Sequence, residues 1–254
     1  MTDLNGKHAL VTGGGTGVGE TIALHLAEAG AKVTISGRRT EPLEQVAAKS
    51  DLISFVTADV TDEKSVADMY TAARAANGPI DIVIANAGAA ESASMSKVTL
   101  EQWQRLIDVN LTGVFLTCRD ALKDMRDQGW GRIINIASIA GRRGYAYVVP
   151  YCSAKHGVVG LTRALAAETA KQNITVNAIC PGYMMTELVE QSAQTIVDKT
   201  GLSREDALAS MVATNPQNRM IETEEVAEAV LWLCGSGSQS ITGQTISISG
   251  GETT

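Results

Sequence analysis

Four side chains in this sequence have types and spacings that suit proton transfer. Tyr151 and Lys155 stand four residues apart in Tyr151-Cys152-Ser153-Ala154-Lys155, so on a helix they share one face. A phenol with a pKa of about 10 exchanges protons poorly at neutral pH unless a nearby cation steadies its phenolate, and a lysine one turn on supplies one. Ser138 ends the apolar run before that helix and can reach the same crevice at the carboxyl edge of a sheet. Asn110 falls inside a predicted long helix; taken alone, it reads as a surface or locally bonded residue. A Tyr-xxx-Lys pair by itself is unspecific, and its meaning depends on its surroundings.

A second cluster suits phosphate. Thr12-Gly13-Gly14-Gly15-Thr16-Gly17-Val18-Gly19 lies between the first predicted strand and the first helix, where glycines let backbone N–H groups close on a pyrophosphate. The spacing GxGxxG does not fit. The P-loop pattern, GxxxxGK followed by Ser or Thr, matches from Gly14 to Thr21 except that Glu20 stands where the lysine belongs, and a carboxylate there repels a triphosphate. TGxxxGxG does fit, through Thr12, Gly13, Gly17 and Gly19. The second strand ends at Ser36-Gly37-Arg38-Arg39, beside the position of an adenine ribose. An acid there would accept the ribose 2′-hydroxyl and mark NAD; none is present, and Arg38 can pair with a 2′-phosphate. The expectation is NADP(H), with NAD(H) possible and two solvated arginines as the bland alternative.

These groups need a frame. β-branched apolar runs at 8–12, 32–36, 53–56, 80–84, 132–136, 175–179 and 245–248 alternate with amphipathic stretches at 20–29, 41–49, 63–76, 100–125 and 151–170. That pattern predicts an α/β fold: a doubly wound, Rossmann-like, seven-stranded parallel sheet with helices on both faces, in a single domain over 1–254. The segment 183–221 breaks the rhythm with two helical stretches, 188–199 and 205–211, the second opened by Ser203 with Asp206 in a capping-box spacing. A long insertion at this edge is where such a fold carries a substrate cover; a packed helical excursion is the alternative.

Composition narrows the classes. The 254 residues carry a net charge of −7 with no obvious basic patch, which argues against nucleic acid. Cys118, Cys152, Cys180 and Cys234 form no CxxC pair and suit reduced, buried thiols in a cytoplasmic setting. His8, His25 and His156 are as scattered, so no metal site is expected. No run of 18 apolar residues and no basic-then-apolar N-terminus occurs, so neither a membrane span nor a cleavable signal is expected. The 24 glycines without a collagen period suit tight turns and close backbone approaches.

Taken in order, Thr12 to Gly19, Asp59-Val60, Asn86-Ala87-Gly88, Asn110, Ser138, Tyr151-xxx-Lys155 and Pro181-Gly182 with Thr186 beyond, the chain resembles the short-chain dehydrogenases/reductases over its whole length. The resemblance implies a nicotinamide-dependent oxidoreductase acting on a ketone or secondary alcohol, without a metal. It implies Tyr151 as acid or base and Ser138 on the substrate oxygen. Lys155 would hold the nicotinamide ribose and lower the Tyr151 pKa. Asn110 would hold a water in a kinked helix. By the same resemblance Gly13, Gly15, Thr16, Gly17, Val18 and Gly19 cradle phosphate, Arg38 and Arg39 face the adenine ribose, and Asp59 and Val60 touch adenine. Asn86, Ala87 and Gly88 line the ribose; Ile179, Pro181, Gly182 and Thr186 place the nicotinamide. It also implies a homotetramer, formed through the Tyr151 helix and the C-terminal helix and strand.

The substrate is less legible. The expected wall, Ala89, Ala90, Ile139, Ala140, Tyr145, Val148, Met184, Met185 and Leu188, is mostly apolar. Arg142 and Arg143 could meet a carboxylate or a coenzyme A phosphate, or be solvated. The stretches 151–165 and 174–182 look most like 3-oxoacyl reductases and polyketide ketoreductases. Carrier-protein reductases offer arginines at the helix ends near Gly129 and Gln172, which this chain lacks there. NADPH-dependent reduction of a hydrophobic 3-oxoacyl-like ketone is therefore the leading expectation. An NAD-dependent alcohol or 3-hydroxyacyl dehydrogenase is the alternative, and a non-catalytic dinucleotide sensor a remote one. A serine hydrolase lacks its GxSxG elbow.

Overall fold

The computed structural model describes residues 2–253, without the side chains of Glu187 and Leu188. The strands β1 (His8–Thr12), β2 (Lys32–Gly37), β3 (Ile53–Thr57), β4 (Ile82–Ala85), β5 (Gly131–Ile136), β6 (Ile174–Pro181) and β7 (Thr245–Ile248) form one sheet. Its order is β3-β2-β1-β4-β5-β6-β7, and every neighbour pair is parallel. Successive strand residues face opposite sides, so each apolar run supplies two cores. Ala9, Val11, Ile82, Ile84, Ile134 and Ile136 pack on one face; Leu10, Val83, Ala85 and Ile133 pack on the other.

The helices divide accordingly. α1 (Gly17–Glu28), α2 (Thr40–Ala47) and the C-terminal helix bury Ile22, Leu43 and Val230 on the first face. On the other, α3 (Glu63–Asn77) buries Tyr70 and Met69. Where the sequence predicts one helix over 100–125, the chain forms α4 (Leu100–Ile107), a wide π turn over Asp108–Thr112, and α5 (Gly113–Gln128). Asn110 accounts for the break. Its Nδ2 donates to the Leu106 carbonyl one turn back at 2.9 Å and to Ala89 O at 2.8 Å. The strand expected from Ile80 begins at Ile82, because Pro79 and buried Ile80 lie outside the β-ladder.

α6 (Val149–Thr169) carries Tyr151 and Lys155 on its first turns, with Pro150 inside its start where a missing N–H costs nothing. In the 183–221 segment, α7 (Glu187–Thr200) and α8 (Arg204–Val212) replace the shorter predicted stretches. Ser203 caps α8, accepting from the Asp206 N–H at 3.0 Å. α9 (Thr223–Cys234) then returns the chain to the first face, beside α1. Among the described residues no helix is long and apolar enough to cross a membrane.

Candidate active site

The sheet order reverses between β1 and β4, and a groove of about 900 Å³ opens at their carboxyl ends. Gly13, Gly15 and Thr16 line one side, Arg38, Arg39, Asp59 and Val60 the end beyond β2 and β3, and Ala87 and Gly88 the floor. The glycine turn is dictated by space. Gly13 has φ +65°, and a Cβ on Gly19 would lie 2.2 Å from Gly13 O. Thr12 and Asn86 stand behind this wall rather than facing the groove. Thr12 is buried, and its Oγ1 accepts from the Asn86 and Ala87 N–H groups at 3.0 and 3.1 Å. Asn86 Nδ2 donates to Thr12 O and Gly13 O at 2.9 and 3.1 Å, so its amide braces the turn.

At the end of the groove beyond β2, Arg38 is exposed and close enough to Asp59 to act on its charge. Burial raises the Asp59 carboxyl, but hydrogen bonds from Thr61 and the Arg38 guanidinium outweigh it and hold the group below its ordinary pKa. Gly17, also at positive φ, lies opposite the Thr186 methyl, where an added Cβ would make ordinary contact at 3.5 Å. Thr186 thus caps α7 directly across from the start of α1. Pro181 ends β6, and the Gly182 N–H donates to Ile248 O at 2.9 Å, fixing the turn into the covering segment.

The proton-transfer candidates converge at the other end. The Ser138 hydroxyl lies within hydrogen-bond reach of the Tyr151 phenol, and it also caps the next turn by accepting from the Ala140 N–H at 3.1 Å. Burial pushes the Tyr151 phenol up to about 12, and the Ser138 bond pulls against that rise. Lys155 is 3% exposed; burial pushes its ammonium down to about 8. Its Nζ donates to Ile136 O at 2.8 Å and lies 5.6 Å from the Tyr151 ring centre. Asn110 and Gly88 sit beside it: a Cβ on Gly88 would meet Asn110 Oδ1 at 2.9 Å and Lys155 Nζ at 3.7 Å. Asn110 Oδ1 accepts from the Ala89 N–H at 3.2 Å, tying the π turn to the loop after β4.

The residues expected to form a substrate wall differ in exposure. Ile139 and Ala140 are buried, Tyr145 is half-buried, and Met185 is half exposed; the side chain of Leu188 lies outside the described residues. Arg142 and Arg143 do not stand free. Arg142 donates to Ser247 Oγ at 2.7 Å, while Arg143 donates to Glu252 O at 3.3 Å and stacks over Tyr145. Arg126 does reach Gln172, at 3.0 Å, but it is also paired with Glu168 at 2.8 Å. Two further clusters escape sequence reasoning because their members are far apart in the chain. Glu91 takes a forked ion pair from Arg105 at the groove rim, and Glu252 accepts from Tyr145 and Thr214.

The family model for short chain dehydrogenase matches residues 7–196. The chain belongs to the short-chain dehydrogenase family. It is 37% identical over 254 residues to a D-beta-hydroxybutyrate dehydrogenase of Rhizobium meliloti (strain 1021), covering 97% of this chain and 98% of the relative. It is 39% identical over 244 residues to an acetoacetyl-CoA reductase of the same organism, covering 96% and 97%. The NADPH-bound crystal structure of an actinorhodin polyketide ketoreductase variant superposes with a TM-score of 0.94 at 34% identity, covering 99% of both chains. These dehydrogenases and reductases make this short-chain dehydrogenase an oxidoreductase of ketone and alcohol groups. Among the described residues no group of three His, Cys, Asp or Glu could hold a metal ion.

Proposed function

We propose that this short-chain dehydrogenase uses NADP(H) to interconvert a hydrophobic ketone of the 3-oxoacyl type and its secondary alcohol. One observation carries the reading: Tyr151, Ser138, Lys155 and Asn110 gather beside Gly88, at the edge of the glycine-walled groove. The groove fits a dinucleotide, since the space beside Gly13 and Gly19 excludes side chains and α1 aims its first N–H groups there. When bound, the nicotinamide supplies or accepts the hydride.

The side chains then divide the remaining work. Tyr151 stays protonated at neutral pH and hands its proton to the carbonyl oxygen as charge develops there. Ser138 donates to the same oxygen and steadies it. Lys155, cationic below about pH 8, supplies the positive charge beside the phenol and holds the ribose hydroxyls. Asn110 fixes the π turn and holds a water that joins Lys155 to solvent. Gly13, Gly15, Thr16, Gly17, Val18 and Gly19 hold the pyrophosphate, and Arg38 with Arg39 takes the 2′-phosphate. Asp59 and Val60 flank the adenine. Ala87 and Gly88 line the ribose, with Thr12 and Asn86 bracing the wall behind them. Pro181, Gly182 and Thr186 place the nicotinamide. Residues 183–221 cover the substrate.

The 3-oxoacyl class rests on the names of the relatives, one acting on acetoacetyl-CoA and one on β-hydroxybutyrate. A homotetramer is part of the same reading, supported by exposed Phe115 on α5 and Trp232 on α9. So is a reducing, cytoplasmic setting, which suits four free, buried cysteines. The test is loss of NADPH or NADH absorbance with a panel of ketones. Turnover of 3-oxo thioesters or apolar ketones with NADPH supports the proposal; a clear preference for NADH, or no turnover of any ketone, contradicts it.

A further inference from the structure

Glu252 lies four residues beyond β7, yet it is only 8% exposed. A carboxylate so placed needs hydroxyl or amide partners, and Glu252 finds them on two segments far apart in the chain. Its Oε1 accepts from the Tyr145 hydroxyl at 2.8 Å and from Thr214 Oγ1 at 2.6 Å. Tyr145 belongs to the loop between Ser138 and Tyr151. Thr214 follows α8, in the covering segment. One oxygen atom therefore joins the loop that leads into the catalytic helix to the segment that covers the substrate.

The backbone around Glu252 is shaped to bring it there. Gly250 and Gly251 both have positive φ, and a Cβ on Gly250 would lie 2.1 Å from Asn215 Oδ1. The turn thus lies hard against 215–216, next to Thr214. Arg143 donates to the Glu252 carbonyl at 3.3 Å and lies over the Tyr145 ring, so the loop grips the turn through main chain and side chain together. The two tyrosines nearest this junction respond to it. Burial first, then Glu252, raises the pKa of Tyr183, which opens the covering segment, and of Tyr145. The bridge of Met184 to Ile221, with the Ile221 N–H donating to Tyr183 O at 2.8 Å, closes the two ends of the segment on each other, and Ile221 is buried in the core of the first face.

We propose that Glu252 is a positioning residue: it latches the covering segment, through Thr214, to the catalytic loop, through Tyr145, and so sets the width of the substrate cleft. The proposal rests on reading that cleft as the ketone site. It differs from a general packing role in what must carry it: an oxygen acceptor shared by two hydroxyls, with no need for charge. A glutamine offers the same Oε1 acceptor, whereas alanine offers none.

The test uses the full chain, with steady-state kinetics and amide hydrogen exchange measured side by side. In Glu252→Ala, the KM for the best ketone should rise about tenfold and that for NADPH stay within about twofold, with kcat changed less than KM. Exchange should speed up together in the 142–147 loop and in 204–216. Glu252→Gln should restore both readouts to within about threefold of the parent. Two single-arm variants separate a latch from general loosening and serve if Glu252→Ala does not fold. Thr214→Val should loosen 204–216 alone, and Tyr145→Phe the 142–147 loop alone. Parental exchange in both segments of Glu252→Ala overturns the latch, as do a glutamine variant as impaired as alanine and single-arm variants that each loosen everything. If the parent protein turns over no ketone, the functional reading falls, while the exchange results still decide on the latch.

Discussion

The two halves of the cleft are built in different ways. Around the glycine turn, contacts run between strand tips: Thr12 and Asn86 share two hydrogen bonds directly, Thr12 takes a third from the Ala87 N–H, and a Cβ on Gly13 or Gly19 would strike main chain. The substrate half hangs from the ends of β6 and α9 and has a small core of its own, with Val189, Ala193, Ala207 and Met211 buried. It meets the frame at its ends, through Met184 and buried Ile221, and across its middle through the Thr214–Glu252 hydrogen bond. A wall made of sheet edge is rigid and readable from local sequence. A wall made of a hung helical pair can change its lining without disturbing the chemistry beside it.

The largest effect that could break this contrast is expected at the glycine turn. Gly19→Val drives a side chain into Gly13 O and Asn86, at a cost of about 3 kcal/mol. Relieving the clash displaces the turn, and if that whole cost is lost from the bound state NADPH binding weakens by roughly a hundredfold, measured by nucleotide fluorescence. Normal binding would mean that the frame is softer than its geometry implies.

Lys155→Met should sharpen the contrast by separating activity from stability. Burial has lowered the Lys155 pKa from 10.5 to about 8, so at pH 7 the folded protein still holds the charge, but less favourably than the unfolded chain does. Below about pH 8 that penalty is complete; between about 8 and 10.5 the unfolded chain binds more protons than the folded one, and stability rises with pH. The variant should therefore lose turnover and gain about 2–3 kcal/mol in denaturant unfolding at pH 7, the gain fading towards pH 10. A variant less stable than the parent at pH 7 would contradict the burial account.

Arg38→Ala should have a smaller and more selective effect. Removing one charge-assisted contact of about 1.5–3 kcal/mol should raise the NADPH KM tenfold or more and leave that for NADH nearly unchanged. Equal losses for both would assign Arg38 to the fold rather than to the 2′-phosphate.

The sequence made the frame legible because the frame is local. His8–Thr12 and Thr245–Ile248 are strands over the very residues whose apolar runs mark them. Ser203 caps its helix as its spacing to Asp206 suggests, although the reciprocal contact is between side chains. The helix read from 100 to 125 by periodicity is interrupted at Asn110, a kink that only the family resemblance implied, since periodicity does not register that Asn110 takes the Leu106 carbonyl. Arg142 and Arg143 read equally well as solvated or as anion-binding, and only the return of β7 and the C-terminal turn supplies their partners. Glu252 had no signal at all: its partners lie 107 and 38 residues away, and no pattern in the chain links them.

The central claim is that Tyr151 transfers the proton at a site whose nucleotide groove is built independently of it. Tyr151→Phe keeps the ring and removes only the hydroxyl, so the decisive measurement is its turnover of the best ketone beside its NADPH affinity. The account predicts turnover reduced by roughly a thousandfold with NADPH binding as in the parent. Near-normal turnover, or loss of activity that merely follows lost NADPH binding, would contradict it.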